Sequence, residues 1–386
     1  GSRSPTPPND PSAVAGLYVH VPFRAAPRPY DDAYTVVNPT PDASVLTAAL
    51  AREIDRHANS LLEGVPIRSL YVGGGRPSLC RPKALRPLVR ALGRVVEPTT
   101  LDEVTVELHP ADASPGYLSH LRRLGVTRLS IEGLSFVEED LTAVGAPHSA
   151  DDLARSIRRV RRAGFRQFSV DLVFGGAGQS RAGWKASLHR AVSLGVPHLT
   201  LHELDTGDAE KRADQLAFAL TFLRAKGYVP YELTHFARPG HRSLHQEHVY
   251  AHGSILGLGP GAERFWAPDL PPSPAARRWS NVADLTAYVE GLQADAPPVA
   301  HDETLSTSAL AREYMLLRLR TQAGLDLNAL ADRYDLRLRD RKADTLRRLR
   351  RRGLIHEDPD RVALTDRGRL LTDAITRRLL RELGPA

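Results

Sequence analysis

Short apolar runs alternate with amphipathic segments from Gly16 to about Ala262, and this alternation constrains the fold more than any other feature of the chain. The apolar runs predict strands, and the segments between them, such as "DDLARSIRRVRRAG", repeat apolar residues at helical intervals of three and four. Repeated strand–helix units predict a parallel sheet. Gly125, Gly164 and Gly195 each end a helical segment at a position suited to the left-handed cap. This regularity favours a barrel of βα units, in which ligands bind at the carboxyl ends of the strands.

The sequence divides into four parts. Residues 1–15 are rich in Pro and Ser and predict a disordered segment, and residues 16–266 carry the barrel pattern. Residues 267–304 begin with "APDLPPSPAARR" and predict a linker and connecting segment. Residues 305–386 read as helices, a short hairpin and a final helix, which is the order of a winged-helix-like domain.

Composition and the length of the apolar runs limit the compartment and the partners that we expect for this protein. The longest apolar runs fall short of the roughly 20 residues that a membrane span needs, and no apolar signal-peptide core occurs near residue 1, so we expect a cytoplasmic protein without a membrane anchor. Cys80 is the single cysteine, which excludes disulfides within the chain. No heptad seam or apolar patch indicates an oligomeric state.

The net charge of +7 raises the question of nucleic acid. Almost all of the positive charge is arginine, spread along helices beside acidic residues, so we do not expect a nucleic-acid partner. The basic helix at 338–352 has dimensions that suit a DNA groove, but Leu346 and Leu349 also fit packing against the barrel. We favour packing.

Six segments carry a resemblance to a known family. "LYVHVPF", "YVGGGRPSL", "VELHP", "LGVTRLSIEGLSF", "VDLVFGGAGQ" and "ILGLGPGA" follow one another from Leu17 onward. In this order the chain resembles the radical SAM family of oxygen-independent coproporphyrinogen III oxidase and its heme-chaperone relatives, over nearly its whole length. The resemblance implies an α/β fold, a partial (β/α) TIM-like barrel of the radical SAM type with a small C-terminal helical, winged-helix-like domain.

The family's cluster loop is altered. After "HxPF" the family has Cys-x3-Cys-Pro-Tyr-Cys, whose thiolates hold a 4Fe–4S cluster, and those positions are Arg24, Arg28 and Asp31 here. A guanidinium is a permanent cation that donates no lone pair to iron. One thiol, Cys80, does not replace three. The sequence therefore predicts no iron–sulfur cluster and no radical chemistry.

The family's S-adenosylmethionine (SAM) site is partly retained. The positions that the resemblance assigns to SAM binding are Gly74, Gly75, Arg76, Glu107 and Asp171. Family residues that contact SAM are replaced by Leu134 and Ala146, so SAM binding stays open. Arg24, Arg28 or Arg76 could instead receive a ligand carboxylate by bidentate pairing, and the alternative is that these arginines hold no ligand.

Heme is a weaker alternative. Heme-chaperone relatives have a His-Asn-x-x-Tyr-Trp segment before "GLGPGA", associated there with heme, and this chain has "HQEHVY". His245 survives from that segment, and His248 and His252 also offer imidazoles to iron. A lone histidine is more often a surface or packing residue.

Alternation along the predicted strands selects side chains that face the barrel interior. It pairs Glu107 with His109, Ser130 with Glu132, Ser169 with Asp171, and Thr200 with His202. We expect His109, His202 and Glu132 to be acid/base groups. The remaining pocket candidates are Tyr18, His20, Glu232 and His245. No local spacing supports a metal site.

Two hypotheses of different classes follow. The first is an enzyme without a cluster that acts by polar chemistry on a small molecule at the top of the barrel. The second is a protein that binds heme, another tetrapyrrole or a natural product without catalysis. The sequence does not decide between them and does not name the ligand.

Overall fold

The chain folds around one large sheet, seen in a computed structural model that describes residues 14–26, 33–38, 40, 42–58, 62, 64–80, 83–96, 101–267, 276–381 and 383. The strands are β1 Ala15–Val21, β2 Phe23–Arg24, β3 Val36–Val37, β4 Ile67–Gly74, β5 Glu103–Leu108, β6 Arg128–Leu134, β7 Gln167–Phe174, β8 His198–Glu203, β9 Val229–Pro230, β10 His235–Ala237, β11 Ser254–Leu258, β12 Glu263–Trp266, β13 Arg277–Asn281, β14 Val299–Thr304, β15 Leu325–Asp326, β16 Ile355–Glu357 and β17 Arg361–Leu364. The helices are α1 Ala43–Ala58, α2 Arg86–Val95, α3 Pro115–Arg123, α4 Glu138–Ala143, α5 Ala150–Arg162, α6 Arg181–Ser193, α7 Ala209–Ala225, α8 Leu244–Tyr250, α9 Leu285–Gln293, α10 Thr307–Leu319, α11 Leu327–Tyr334, α12 Leu338–Arg351, α13 Asp366–Arg369 and α14 Thr372–Leu380.

The large sheet has twelve strands in the order β14-β13-β12-β11-β1-β4-β5-β6-β7-β8-β10-β9. The strands from β11 through β1 to β8 are parallel to their neighbours, and the flanking strands at both edges are antiparallel. Among the described residues no pairing joins β14 to β9, so the sheet does not close. This confirms the predicted α/β fold with a partial barrel.

Helices cover the outside of the parallel strands because their apolar faces need burial. In α5, Leu153, Ile157 and Val160 are fully buried in a core that also contains residues of β6 and β7. A capping box starts this helix, since Ser149 accepts from the N–H of Asp152 and the Asp152 carboxylate accepts from the N–H of Ser149. The helix of each unit returns the chain, so the parallel strands all run in one direction and their carboxyl ends meet at the same end of the sheet.

The C-terminal domain has the predicted winged-helix-like order. Its helices α10, α11 and α12 precede the hairpin of β16 and β17, and α13 and α14 follow. The short strand β15 lies between α10 and α11 and pairs with this hairpin in the order β15-β17-β16. Leu346 and Leu349 on α12 are 1% and 5% exposed and pack in the core of this domain. Leu346 and Leu349 are therefore packing residues, as predicted. They pack within the C-terminal domain, whereas we expected them to pack against the barrel.

The predicted connecting segment differs from expectation. Of residues 267–304, the described part at 276–304 forms β13, α9 and β14, which extend the large sheet by antiparallel pairing. Of residues 1–15, which were predicted to be disordered, residues 1–13 lie outside the described residues, and Ala15 instead begins β1. No helix within the described ranges has the length and apolar character needed to cross a membrane.

Candidate functional site

Two adjoining cavities lie inside the barrel, and the inner one reaches Arg128 and His198, the first residues of β6 and β8. The outer cavity has a volume of about 320 Å³ and is lined by Tyr18, Ala33, Gly74, Glu107, Ser130, Glu132, Leu134, Asp171, Val173, His202, Glu203 and Leu204. The inner cavity has a volume of about 410 Å³ and is lined by Tyr18, Tyr71, Glu107, Arg128, Ser130, Ser169, Asp171, His198, Thr200, His202, Thr234, His235, Ser243, His245, Gln246 and Tyr250. Every one of these inner side chains has a polar group, whereas small-molecule pockets are mostly apolar.

Sheet register explains why polar side chains collect in the cavities. Glu107, Ser130, Ser169 and His198 lie opposite one another across β5 to β8. The next inward row along the strands contains Asp171 and its neighbours Glu132 on β6 and Thr200 on β8. The predicted face pairings of Ser130 with Glu132, Ser169 with Asp171, and Thr200 with His202 therefore agree with the structure.

The glycine-rich turn after β4 is packed against protein groups. Gly74 has φ +99°, and a Cβ there would lie 2.3 Å from Nδ1 of His20. Glu107 accepts hydrogen bonds from the Gly74 amide at 3.0 Å and from the Tyr71 hydroxyl at 2.9 Å. Gly75 is packed equally closely against protein, because a Cβ there would lie 2.3 Å from the carbonyl oxygen of Phe23. Glu107 thus stabilises the turn as well as lining both cavities.

Arg24, at the first of the three altered cluster positions, lies against this turn. Its side chain is buried, Nη2 donates to the Gly74 carbonyl at 3.2 Å, and Nη1 lies 3.9 Å from Oε2 of Glu132. A fixed cation therefore stands beside the outer cavity. Arg28 and Asp31, the other two positions, lie outside the described residues.

Arg76 does not line either cavity. Its Nε and Nη2 donate to the two carboxylate oxygens of Asp112, each at 2.6 Å. Burial alone would raise the pKa of Asp112, but hydrogen bonds from Arg76 and Ser78 outweigh it and lower that pKa. The bidentate pairing predicted for Arg76 is therefore formed with a carboxylate of the protein itself.

His109 does not line either cavity. β5 ends at Leu108, and His109 caps the following 3-10 helix by accepting from the Ala111 amide at 3.2 Å. Its ring packs edge-on against His148, with the centroids 5.3 Å apart. His109 is absent from both linings, so the structure does not bring it together with the other predicted acid/base groups.

Of the remaining predicted site residues, some line the cavities and others lie outside the linings. His202 is exposed at the mouth and lines both cavities, and Glu132 lines the outer one. His20 is held by the Tyr34 carbonyl at 2.7 Å and the Tyr18 hydroxyl at 3.0 Å, outside both linings. His245 lines the inner cavity, contacts Ser69 at 2.9 Å, and burial lowers its pKa to about 3.

A histidine–carboxylate pair at the inner cavity was not predicted from the sequence. His235 lines the cavity, and its Nδ1 lies 2.9 Å from Oε2 of Glu232, a fully buried side chain outside the lining. Burial alone would raise the pKa of Glu232, but His235, Arg320 and Thr234 together lower it to about 2. Because an ionised carboxylate only accepts hydrogen bonds, Nδ1 of His235 carries a proton. Among the described residues the structure gives Nε2 no hydrogen bond.

Arg320 connects this pair to the C-terminal domain. It follows α10, and its Nε donates to Oε1 of Glu232 at 2.7 Å. Glu232 also accepts from the Thr234 amide at 2.6 Å. The orientation of His235 therefore depends on a contact made across 88 residues of sequence, and only the E-x-x-H spacing was visible in the sequence.

The donor set does not fit a 4Fe–4S cluster. Three thiolates hold such a cluster in the family that the sequence resembles, and this chain contains one cysteine. Cys80 is buried, and burial raises the pKa of its thiol to about 12. The part of the chain that the structure describes contains no group of three or more His, Cys, Asp or Glu side chains placed to hold a metal ion.

Comparison with known proteins shows which class of fold this chain has. Residues 305–371 match the family model for the HemN C-terminal domain. The structure superposes on coproporphyrinogen III oxidase (HemN) from Escherichia coli, a radical SAM enzyme, with a TM-score of 0.80 and 22% identity, covering 97% of this chain and 92% of that one. The fold is that of a radical SAM barrel followed by a HemN C-terminal domain.

Sequence relatives identify the family. The heme chaperone HemW of Mycobacterium tuberculosis is 30% identical over 394 residues, covering 96% of each chain. The heme chaperone HemW of Bacillus subtilis is 27% identical over 390 residues, covering 96% of this chain and all of that one. The chain belongs to the HemN/HemW family of the radical SAM superfamily.

Proposed function

We propose that this chain is a family member that has lost the iron–sulfur cluster and acts on a small molecule by polar, non-radical chemistry. The observation that supports loss of the cluster is Arg24. Its guanidinium is buried against the Gly74 carbonyl and lies 3.9 Å from Glu132, so a cation that cannot ligate iron stands at the first cluster position. The single cysteine of the chain supports the same conclusion.

His235 is the proposed acid/base group, and Glu232 is its positioning residue. The ring lines the inner cavity with its Nδ1 proton held by a buried carboxylate, which leaves Nε2 as the atom that would exchange a proton with a bound molecule. His202 at the mouth and Asp171 in the lining are the proposed ligand-orienting groups. This assignment replaces His109, which lies outside the lining.

The outer cavity is the proposed position of SAM. Its lining includes the carboxylates of Glu107, Glu132, Asp171 and Glu203, which complement the ammonium and sulfonium charges of that ligand. When bound, SAM supplies an electrophilic methyl group without needing an electron. The residues of this chain would bind and orient it, with Gly74 permitting close approach.

Cluster loss is tested by anaerobic reconstitution with iron and sulfide. We expect no absorbance of a 4Fe–4S cluster near 400 nm and no 5′-deoxyadenosine when SAM and dithionite are added. Stoichiometric iron and sulfide with deoxyadenosine formation would refute the proposal. Calorimetry with SAM tests the outer cavity, where we expect micromolar affinity, about −8 kcal/mol. S-adenosylhomocysteine should bind more weakly because it lacks the sulfonium charge.

Chemical modification tests the acid/base group without a known substrate. Diethyl pyrocarbonate acylates unprotonated imidazole nitrogens, so we expect peptide mapping to find His235 modified in the folded protein. His20 is a matched control, because it is also buried but hydrogen-bonded at both ring nitrogens. Equal protection of both histidines would contradict the role of Nε2. Glu232→Gln should slow the reaction of His235 by loosening the ring, without a similar change at His20.

Heme binding is a second candidate function. It is supported by the name heme chaperone HemW carried by the relatives and by four imidazoles in the inner lining, those of His198, His202, His235 and His245. The polar lining and the volume of about 410 Å³ suit a smaller polar molecule better than an enclosed macrocycle. A hemin titration decides, since heme ligation by this cavity requires a one-to-one Soret shift that His235→Ala or His202→Ala abolishes.

A further inference from the structure

The floor of the inner cavity is built from hydrogen-bond donors. Arg128 opens β6 and lines the cavity, and it is 4% exposed. Of its five N–H groups, the structure shows one in a hydrogen bond within the described residues, from Nη1 to Oγ of Ser169 at 3.2 Å. The buried Nε has no hydrogen-bond partner among the described residues. Burying a guanidinium whose N–H groups mostly lack hydrogen-bond partners costs free energy unless another group accepts from them.

The counter-ion of Arg128 is engaged elsewhere. Oε2 of Glu103 lies 3.7 Å from Nε, which is beyond hydrogen-bond distance. Its carboxylate accepts from the hydroxyl of Ser243 at 2.8 Å and from the amide of Leu244 at 2.9 Å, at the start of α8. Glu103 therefore balances the charge of Arg128 in part but leaves its donors unfilled.

His198 adds a second buried donor beside Arg128. Its Nε2 lies 2.8 Å from the hydroxyl of Tyr231, and that oxygen accepts from the Ser243 amide at 3.4 Å. We assign the Tyr231 proton to Nε2, because the structure shows no other acceptor for that hydroxyl among the described residues. The ring proton then lies on Nδ1, which has no hydrogen-bond partner within the described ranges. Burial, and next the nearby Arg128 charge, hold the pKa of His198 well below its usual range, so the ring is a neutral donor.

We propose that Arg128 and His198 form an anion subsite that receives a carboxylate of the ligand. This inference rests on the proposed function and names the substrate class, a small polar molecule with a carboxylate at one end. A carboxylate only accepts hydrogen bonds, so it matches the unused donors of Arg128 and His198.

The subsite also orients the ligand. The His198 and His235 ring centroids are 5.9 Å apart, so a carboxylate held at the floor lies next to the proposed acid/base group. At the other end of the cavity, Asp171 accepts from Ser130, and Ser130 in turn contacts Ser169 at 2.9 Å. The cavity is therefore cationic at its floor and anionic toward its mouth, which suits a ligand with hydroxyl or amino groups opposite its carboxylate.

Malonate and its neutral analogue malonamide are the probes. With the full chain at constant ionic strength, we expect malonate to raise the melting temperature and to titrate saturably in calorimetry, with at least about tenfold higher affinity than malonamide. Arg128→Gln should weaken malonate binding by about tenfold or more, and Arg128→Lys should weaken it less because it keeps the charge. The comparison of malonate with malonamide uses the unmodified protein, so it does not depend on whether a variant folds.

Arg159→Gln is the matched control. Arg159 is exposed and belongs to a separate basic surface patch with Arg122, Arg123 and Arg162. Loss of malonate binding in Arg159→Gln rather than in Arg128→Gln would overturn the inference, as would equal responses to the two probes or no saturation in the millimolar range. These results leave the proposed function standing, because cluster reconstitution and modification of His235 test that function separately.

Discussion

Replacing Glu232 by Gln should make the protein less stable at neutral pH and less sensitive to acid. The pKa of Glu232 is about 2 in the folded chain against 4.5 for the unperturbed group. That difference corresponds to about 3 kcal/mol of stability, contributed jointly by His235, Arg320 and Thr234. Because the folded pKa is the lower one, this stability is present above about pH 4.5 and is lost as the pH falls toward 2. Between pH 7 and pH 4 about 1 kcal/mol should be lost.

Urea unfolding followed by circular dichroism at pH 7 and pH 4 measures this difference. We expect the unmodified protein to lose about 1 kcal/mol more than Glu232→Gln between the two pH values. Arg320→Met should also destabilise at pH 7, by roughly 1–3 kcal/mol, since it leaves a buried carboxylate with one partner fewer. The double variant should cost less than the sum of the single ones. The idea that Arg320 and Glu232 act as one unit behind His235 would be refuted by two results together. The unmodified protein and Glu232→Gln would lose equal stability between the two pH values, and the costs of the single variants would add up in the double variant.

Three further predictions concern the surroundings of the site and the C-terminal domain. Cys80 should resist aromatic disulfide reagents at pH 8 until the protein is unfolded, because burial raises the pKa of its thiol to about 12; rapid reaction of the native protein would show that the loop opens. Gly74→Ala should destabilise by roughly 1–3 kcal/mol in thermal unfolding, since its φ is +99° and an imidazole lies 2.3 Å from the new Cβ, whereas Gly93→Ala, in α2 with open space, should stabilise slightly. Leu346→Ala should cost about 2–5 kcal/mol as a core residue, and Arg347→Ala on the same helix should stay within about 0.5 kcal/mol.

The barrel and much of its lining follow from sequence periodicity. Strand alternation places Ser169 and Asp171 on one face, and the parallel register then sets Asp171 beside Thr200. This works because a residue's side in a strand depends on local backbone geometry alone. The same rule fails for His109, because β5 ends at Leu108 and Pro110 starts a 3-10 helix. The His-Pro dipeptide was the available signal that alternation stops there.

The pair of His235 and Glu232 was beyond such reasoning. Glu232 lies in the short irregular segment after β9, and His235 is the first residue of the three-residue strand β10, so no periodicity predicts a direction for either side chain. Glu232 was expected in the pocket, yet its partner Arg320 is brought to it by docking of a separate domain. A contact of that kind depends on tertiary packing, which local sequence patterns do not encode.

Charge satisfaction distinguishes Arg128 from Arg24 and Arg76. Arg24 and Arg76, which replace family residues near the outer cavity, lie against Glu132 and Asp112 of the same chain. An added carboxylate there would have to displace a buried internal ion pair, which is costly. Arg128 differs because its counter-ion is at 3.7 Å and bonded to α8, so a ligand carboxylate would gain hydrogen bonds without breaking one. Recognition of a ligand carboxylate in this chain is therefore expected at Arg128 rather than at Arg24 or Arg76.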